Sequence, residues 1–424
     1  MRRVDIVGAA SEKIEESNML KKLESLPSLS SECSIYRVPK RLRKWNDDAY
    51  TPQVVSIGPL HHGSNGMQAM EEHKLRYLKD FLSRTQMKFE DYAKFFSMRE
   101  EKIRNHYEET IKLKSHEFLD LIMVDTAFVI EVMLRFKFTH QHNEYDRIFS
   151  KPWLIKSIRF DMLLLENQLP FFILEELFVQ LRRTFPPENA ERYSLIELTH
   201  RFFQSKANLV GLEQLWGKLR ASKIEHFLHF IYICHLPFPL PPKRELKTLT
   251  LPSAKHLDLV GVKFKEGSTK NIYDIKFENG ILEIPRLQIR GQTETVFRNL
   301  LAFEQYHFQD NYISNYFFVL DRLIDNNDDV ELLVKNGIID SKLPDKDAVA
   351  RFSNNLVQGI GIANKNFYFT DLFENLNHYC SVGWNKWKAN VIQHYFGSPW
   401  SIISLIGASI ALILTAIQTV YSII

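Results

Sequence analysis

Cysteine is scarce in this 424-residue chain: Cys33, Cys234 and Cys380 are the whole supply. Three thiols, an odd number set far apart, exclude a disulfide framework and the paired spacing of a zinc finger. None of the 24 asparagines opens the Asn-x-Ser/Thr pattern of a glycosylation acceptor. A surplus of one charge is also lacking. Lys plus Arg number 54 against 51 Asp plus Glu, a net of +3, which leaves no electrostatic footprint for nucleic acid. The apolar run after Met1 is too short for a signal-peptide core. There is no repeat of fixed period. Catalytic signatures are missing as well: no G-x-S-x-G, no H-E-x-x-H, no dinucleotide glycine pattern. The stretch from Gly261 to Gly267 falls short of a phosphate loop. It has one residue too many and no lysine after the second glycine. These absences place the body on a reducing, cytosolic side and assign it no catalytic residue, cofactor or metal.

Apolar residues are plentiful: 45% of the chain is hydrophobic and 31 residues are Phe, enough for a large core. The most apolar stretch is the last. Trp400 to Ile424 carries no charge. As a helix rising ~1.5 Å per residue it is long enough to cross a hydrocarbon core of ~30 Å, so it predicts a transmembrane helix over 399–424. Trp400 and Tyr421 stand near its ends, where rings suit a membrane interface. Gly407, Ala411, Thr415 and Thr419 recur every four residues, a small-residue stripe suited to self-association. Lys386 and Lys388 precede the run, which keeps the body cytosolic and makes the chain a single-pass protein of the plasma membrane or an endomembrane. The expected partners are the lipid bilayer, through this helix, and proteins of unknown identity.

Upstream, residues 1–30 read as a polar, mobile arm. A body over 31–396 follows, helical over 31–236, with a proline-rich crossing over 237–254 and a hairpin plus helices over 255–396. The first part of the body opens on prolines at 39, 52 and 59 and glycines at 58 and 63, which forbid a long helix. Arg37, Lys40, Arg41, Arg43 and Lys44 form a basic cluster, either a solvated face or a contact for anionic headgroups. Helical periodicity covers Met67–Arg84, Lys88–Glu109 and His116–Phe138. Asp125 falls on the apolar stripe of the last of these, so it must be paired, hydrogen-bonded or neutral. Asp161–Val179 is apolar except for Glu166, Asn167 and Gln168, and Pro170 follows. That pattern reads as the polar hinge of a kinked or broken core helix. Further helices are expected at Ser194–Lys206 and Lys223–Cys234. Asn279-Gly280 predicts a type I′ hairpin that pairs Phe277 with Leu282, Ile275 with Ile284 and Lys276 with Glu283, with a third strand near Val262–Phe264. Helices resume at Thr293–Phe308, Tyr312–Leu323, Asp328–Asn336, Lys346–Asn355 and Thr370–Phe396. The fold class is mainly α (α+β): a multi-helix body, a small antiparallel sheet and one C-terminal transmembrane helix.

Two clusters invite a chemical reading. His61 and His62, followed by Glu71, Glu72 and His73, supply metal-ligand types. Adjacent histidines of an extended chain point apart, however, and no pair has helical i, i+4 spacing. The plainer reading is a polar loop, with Pro59 and Gly63, that leads into the next helix. Arg298, Asn299, Glu304 and Gln305 are polar residues on a largely apolar helix. Arg298 and Glu304 are six apart and do not face each other, so each is expected to bind another core segment.

IYRVPKRLR, YTPQVVSIGPLHHG, AMEEHKLRYLKDFLSR, DMLLLENQLPFF, FRNLLAFEQ and WNKWKANVIQHYFGSPW, in this order, resemble the plant family catalogued as domain of unknown function 247 (also UPF0481). The resemblance runs from Ile35 to the end of the chain. It implies a plant source, one family domain and a C-terminal anchor, and carries over no catalytic residue. Some grass members are associated with pollen–stigma self-incompatibility, which implies recognition or signalling through protein contacts. Thr126-Ala127 and Gly291-Gln292 depart from the family pattern. An enzyme of unrecognised type, to be sought at Asp125, Glu166 and His62, and a structural membrane adaptor are the competing readings.

Overall fold

The computed structural model describes residues 30–139, 146–184, 193–237 apart from 206, 208 and 210, 244–362 and 365–382. It adds Met19, Leu20, Leu23 and short pieces between 407 and 419. The Ser115–Lys137 helix is apolar on most of its surface and is buried accordingly. Phe118, Ile122, Val129 and Val132, the predicted stripe, have no exposed surface. Around it pack the helices Gln68–Thr85, Phe89–Ser97, Phe171–Arg182 and Leu195–Phe203. A second group centres on Thr293–His307. It packs against Phe227–His235, Tyr312–Leu323 and Lys346–Leu356. One continuous set of buried apolar side chains joins the two groups.

Sheet content is small. Strands β1 (Lys263–Gly267), β2 (Lys276–Glu278) and β3 (Ile281–Pro285) lie in the order β1-β3-β2. Asn279 and Gly280 both have positive φ, 51° and 78°, as a type I′ turn requires. The hairpin register is the expected one, Phe277 opposite Leu282 and Lys276 opposite Glu283. Ile275 falls just outside β2. The sheet is not purely antiparallel, though. β1 runs parallel to β3, and β4 (Leu287–Ile289) pairs in parallel with β5 (Ile339–Ser341). Parallel partners lie far apart in sequence, where no turn signal announces them.

One further expectation narrows and another changes. Of the kinked or broken helix expected over Asp161–Val179, the broken form is found. One helix, Pro152–Asp161, ends there and another starts after Pro170 as N-cap, because a proline suits a helix start and not its interior. The transmembrane helix is a correction. Among the described residues no helix is long and apolar enough to cross a membrane. An uncharged run meets lipid's compositional demand, but a span also needs about 20 continuous helical residues, and the described residues do not supply such a helix. Gly407, Ala411, Thr415 and Thr419 are helical and exposed. Thr415 and Thr419 donate their hydroxyls to the carbonyls of Ala411 and Thr415. Trp400 and Tyr421 lie outside the described residues, as do most of 1–29, residues 238–243 of the proline-rich crossing, and 383–406. Bilayer contact through a C-terminal helix, and self-association along it, lose their basis.

Candidate functional site

Several of the polar residues that stand out in the sequence, Asp125, Glu166, Asn167 and Asn299 among them, converge on one object, the extended segment from Ser34 to His62. The chain there has little regular structure, so its peptide groups need partners from elsewhere. Buried side chains of distant segments supply them. Asp161 accepts from the amides of Gln53, Val54 and Val55 at 2.7–3.0 Å. Asn167 accepts from Ile57 N at 2.7 Å and donates to the carbonyls of Val55 and Asp161. Asn299 donates to Ala49 O and accepts from Leu165 N. Gln168 ties its own loop to Met162, Leu164 and Phe227. Asn167 and Gln168 thus satisfy carbonyls at the helix break itself, those of Asp161, Met162 and Leu164, while Glu166 and Asn167 also hold distant parts of the chain.

Asp125 is fully buried and paired. Lys74 Nζ lies 2.6 Å from its Oδ1 and also donates to Ser56 O, and Gly58 N donates to its Oδ2. Burial pushes the carboxyl up against the pull of Lys74. Lys74 is itself held above its ordinary value, because Asp125 and Glu71 outweigh the cost of burial.

Glu166 is the hub. Its side chain is fully enclosed. It meets Arg43 at 2.8 Å, Arg37 at 3.1 Å and the amide of Val38 at 2.7 Å. Burial opposes the charge, but His61, Arg43 and the Val38 amide together hold the carboxyl below its usual range. His61 Nε2 sits 3.0 Å from Oε2, close but not aligned as a hydrogen bond. Part of the basic cluster is thus drawn inward: Arg37 and Arg43 face Glu166. Among the described residues no group of His, Cys, Asp and Glu is placed to hold a metal ion. His61 turns to Glu166, and His62 is exposed.

Glu304 is buried beside the next helix. It accepts from Ile313 N, Ser314 N, Ser314 Oγ and Tyr232 Oη at 2.6–3.1 Å. Burial pushes its carboxyl up to about 7, against those donors. Asp161 is raised to about 6 for the same reason. Arg298 pairs with Glu294 at 2.7 Å and donates to Asn355 O. Gln305 exchanges hydrogen bonds with Gly361. The expectation of separate partners for Arg298 and Glu304 matches this geometry.

Two of the residues singled out reach cavities, His73 one of about 360 Å³ and Asp161 one of about 20 Å³, and two other cavities lie elsewhere. One of about 450 Å³ opens at the start of the Thr293–His307 helix, lined by Lys156, Lys270, Arg290, Lys342, His235 and Phe297 among others. A second, about 280 Å³, shares His235, Lys270 and Ile272 with it and adds Lys218, Asn271 and Asp274. Of the polar residues singled out in the sequence, only Gln292 lines either one. Cys234, at the second, is no nucleophile at neutral pH, since burial pushes its thiol up to about 12. Sequence reasoning missed this region because its cations come from four separate stretches.

The sequence profile of a family described as "Plant protein of unknown function" (DUF247) matches residues 35–414. A UPF0481 protein of Arabidopsis thaliana is 30% identical over 420 residues, covering 92% of this chain and 86% of that protein. A putative UPF0481 protein of the same plant is 23% identical over 477 residues, with 91% and 89% covered. No solved structure matches the chain.

Proposed function

The chain belongs to the DUF247 family of plant proteins of unknown function, and from that premise we propose that it is a non-enzymatic recognition protein. One observation carries the reading: Asp125, Asp161, Glu166 and Glu304 all hold backbone amides of other segments. A general acid or base must meet substrate at a cavity; of these carboxylates Asp161 alone lines one, of only about 20 Å³, and all four fix the body's shape. A rigid body with binding cavities suits recognition or signalling through non-covalent contacts, of which self-incompatibility is one type. Three free cysteines and the lack of a glycosylation acceptor favour a cytosolic setting for the body.

An enzyme is the second reading, favoured by the raised carboxyls of Glu304 and Asp161. Incubating the purified full chain with plant metabolite extract, followed by mass spectrometry, separates the two. Recognition leaves every metabolite unconsumed, while cross-linking of the full chain in plant cells returns a partner at fixed stoichiometry. A metabolite consumed by the wild type, and spared by an E304Q or D161N variant of unchanged melting temperature, overturns it.

A further inference from the structure

We propose that the cavity at the start of the Thr293–His307 helix binds a phosphate monoester carried by a small polyhydroxylated molecule. Its volume, about 450 Å³, falls within the ~300–1,000 Å³ range of small-ligand sites. Lys156, Lys270, Arg290 and Lys342 line it, and no carboxylate does. Arg290 is engaged by Asp340 at 2.8 Å. The ammonium groups of Lys156, Lys270 and Lys342 have no ion-pair partner among the described residues. Three unpaired cations around one concavity concentrate positive potential, and among the described residues no carboxylate lines its wall to answer it.

The backbone adds to this. Gly291, Gln292 and Thr293 line the cavity where a helix of 15 residues begins. Gln292, the N-cap residue, makes no side-chain cap bond. The amide of Thr293 is taken by Arg290 O, so what the helix start adds beside the lysines is its dipole, which favours an oxyanion. Lysines on flexible stems fit the tetrahedral spread of a phosphate, whereas a planar carboxylate suits a guanidinium fork.

A hydroxylated body follows from a separate observation. Nε2 of His235 is buried without a hydrogen-bond partner. The ring packs against Phe297, with centroids 6.0 Å apart, and is already bonded to the backbone of Ala207. Burial holds the imidazole down to about 4, so it is neutral and Nε2 offers a lone pair. A ligand hydroxyl would satisfy it. The adjoining cavity of about 280 Å³ continues past His235 to Asn271, Asp274 and Gln214, which supply further partners for hydroxyls. Phosphate at the lysine end and hydroxyls beyond His235 describe a sugar or cyclitol phosphate. It would be either a free metabolite or the headgroup of a phosphoinositide.

Titration calorimetry on the full chain tests this with glucose 6-phosphate, inositol 1-phosphate, glucose and inorganic phosphate. A flotation assay adds vesicles of phosphatidylcholine with and without phosphatidylinositol 4-phosphate. The phosphorylated polyols should bind more tightly than inorganic phosphate, and glucose not at all. K270A and K342A should each weaken binding about tenfold without moving the melting temperature, since both side chains are exposed. H235F should erase the preference for the polyol over inorganic phosphate. Flotation with the phosphoinositide alone would identify the lipid source of the same chemistry. No binding by any phosphorylated probe, or binding unchanged in K270A–K342A, overturns the proposal. Neither result touches the non-enzymatic reading, which fails only on turnover.

Discussion

Nζ of Lys74 lies 2.6 Å from Oδ1 of Asp125, and neither side chain reaches solvent. The pair spans two packed helices, and both members also bind the extended segment, at Ser56 O and Gly58 N. Removing one partner strands a buried charge. K74M should lower stability by roughly 3–5 kcal/mol, whereas K74M–D125L should recover much of the loss. Urea unfolding followed by circular dichroism measures both.

Asn167 makes three hydrogen bonds to buried backbone. N167A leaves those groups without partners, at about 1–3 kcal/mol for each that stays dry. Hydrogen exchange should show amides 53–58 losing protection first, with the Ser115–Lys137 helix unaffected.

Gly58 has φ of +74°, and a Cβ there would stand 2.6 Å from Gln168 O. The obstacle is backbone and cannot swing aside. G58A should cost roughly 2–4 kcal/mol. Gly66 has φ of +88° with open space around it, so G66A should cost only about 1–2 kcal/mol. Paired thermal melts check the contrast.

Glu304 has a folded pKa of about 7, above its ordinary 4.5. The native state therefore holds this proton over a range in which the unfolded chain has released it. Stability contributed by the protonated group is full below about 4.5 and falls as pH rises to about 7. Asp161, raised from 3.8 to about 6, acts in the same direction over a lower window. Melting temperature should drop from pH 5 to pH 7.5, and E304Q should flatten the upper part of that drop.

The local half of this architecture was legible in the residues. Tyr312–Leu323 runs over the predicted range, and the Asn279-Gly280 turn fixed the hairpin register because turn and pairing are neighbours. Asp125 was readable as a buried group needing a partner, though nothing local named Lys74. What could not be read were relations over distance. Asp161 binds amides 106–108 positions away, and β1–β3 and β4–β5 pair in parallel with no turn to betray them. The basic cavity draws on residues 156, 270, 290 and 342. Its one local trace was a helix start at Gly291-Gln292 without a Ser, Thr, Asp or Asn cap. The terminal apolar run was readable as a membrane span from composition, yet among the described residues no helix is long and apolar enough to be one.

The segment from Ser34 to His62 also imposes an order of events during synthesis. It leaves the ribosome well before the groups that seat it: Asp125, then Asp161 to Asn167, then Asn299, which holds Ala49, and His307, which meets Tyr36. Until more than two thirds of the chain has been translated, this stretch has no complete berth. Its apolar side chains, among them Val38, Leu42, Val55 and Ile57, must wait uncovered. A chaperone that shields nascent chains should therefore dwell on this region longer than on the Gln68–Thr85 helix, whose neighbours follow within the next hundred residues.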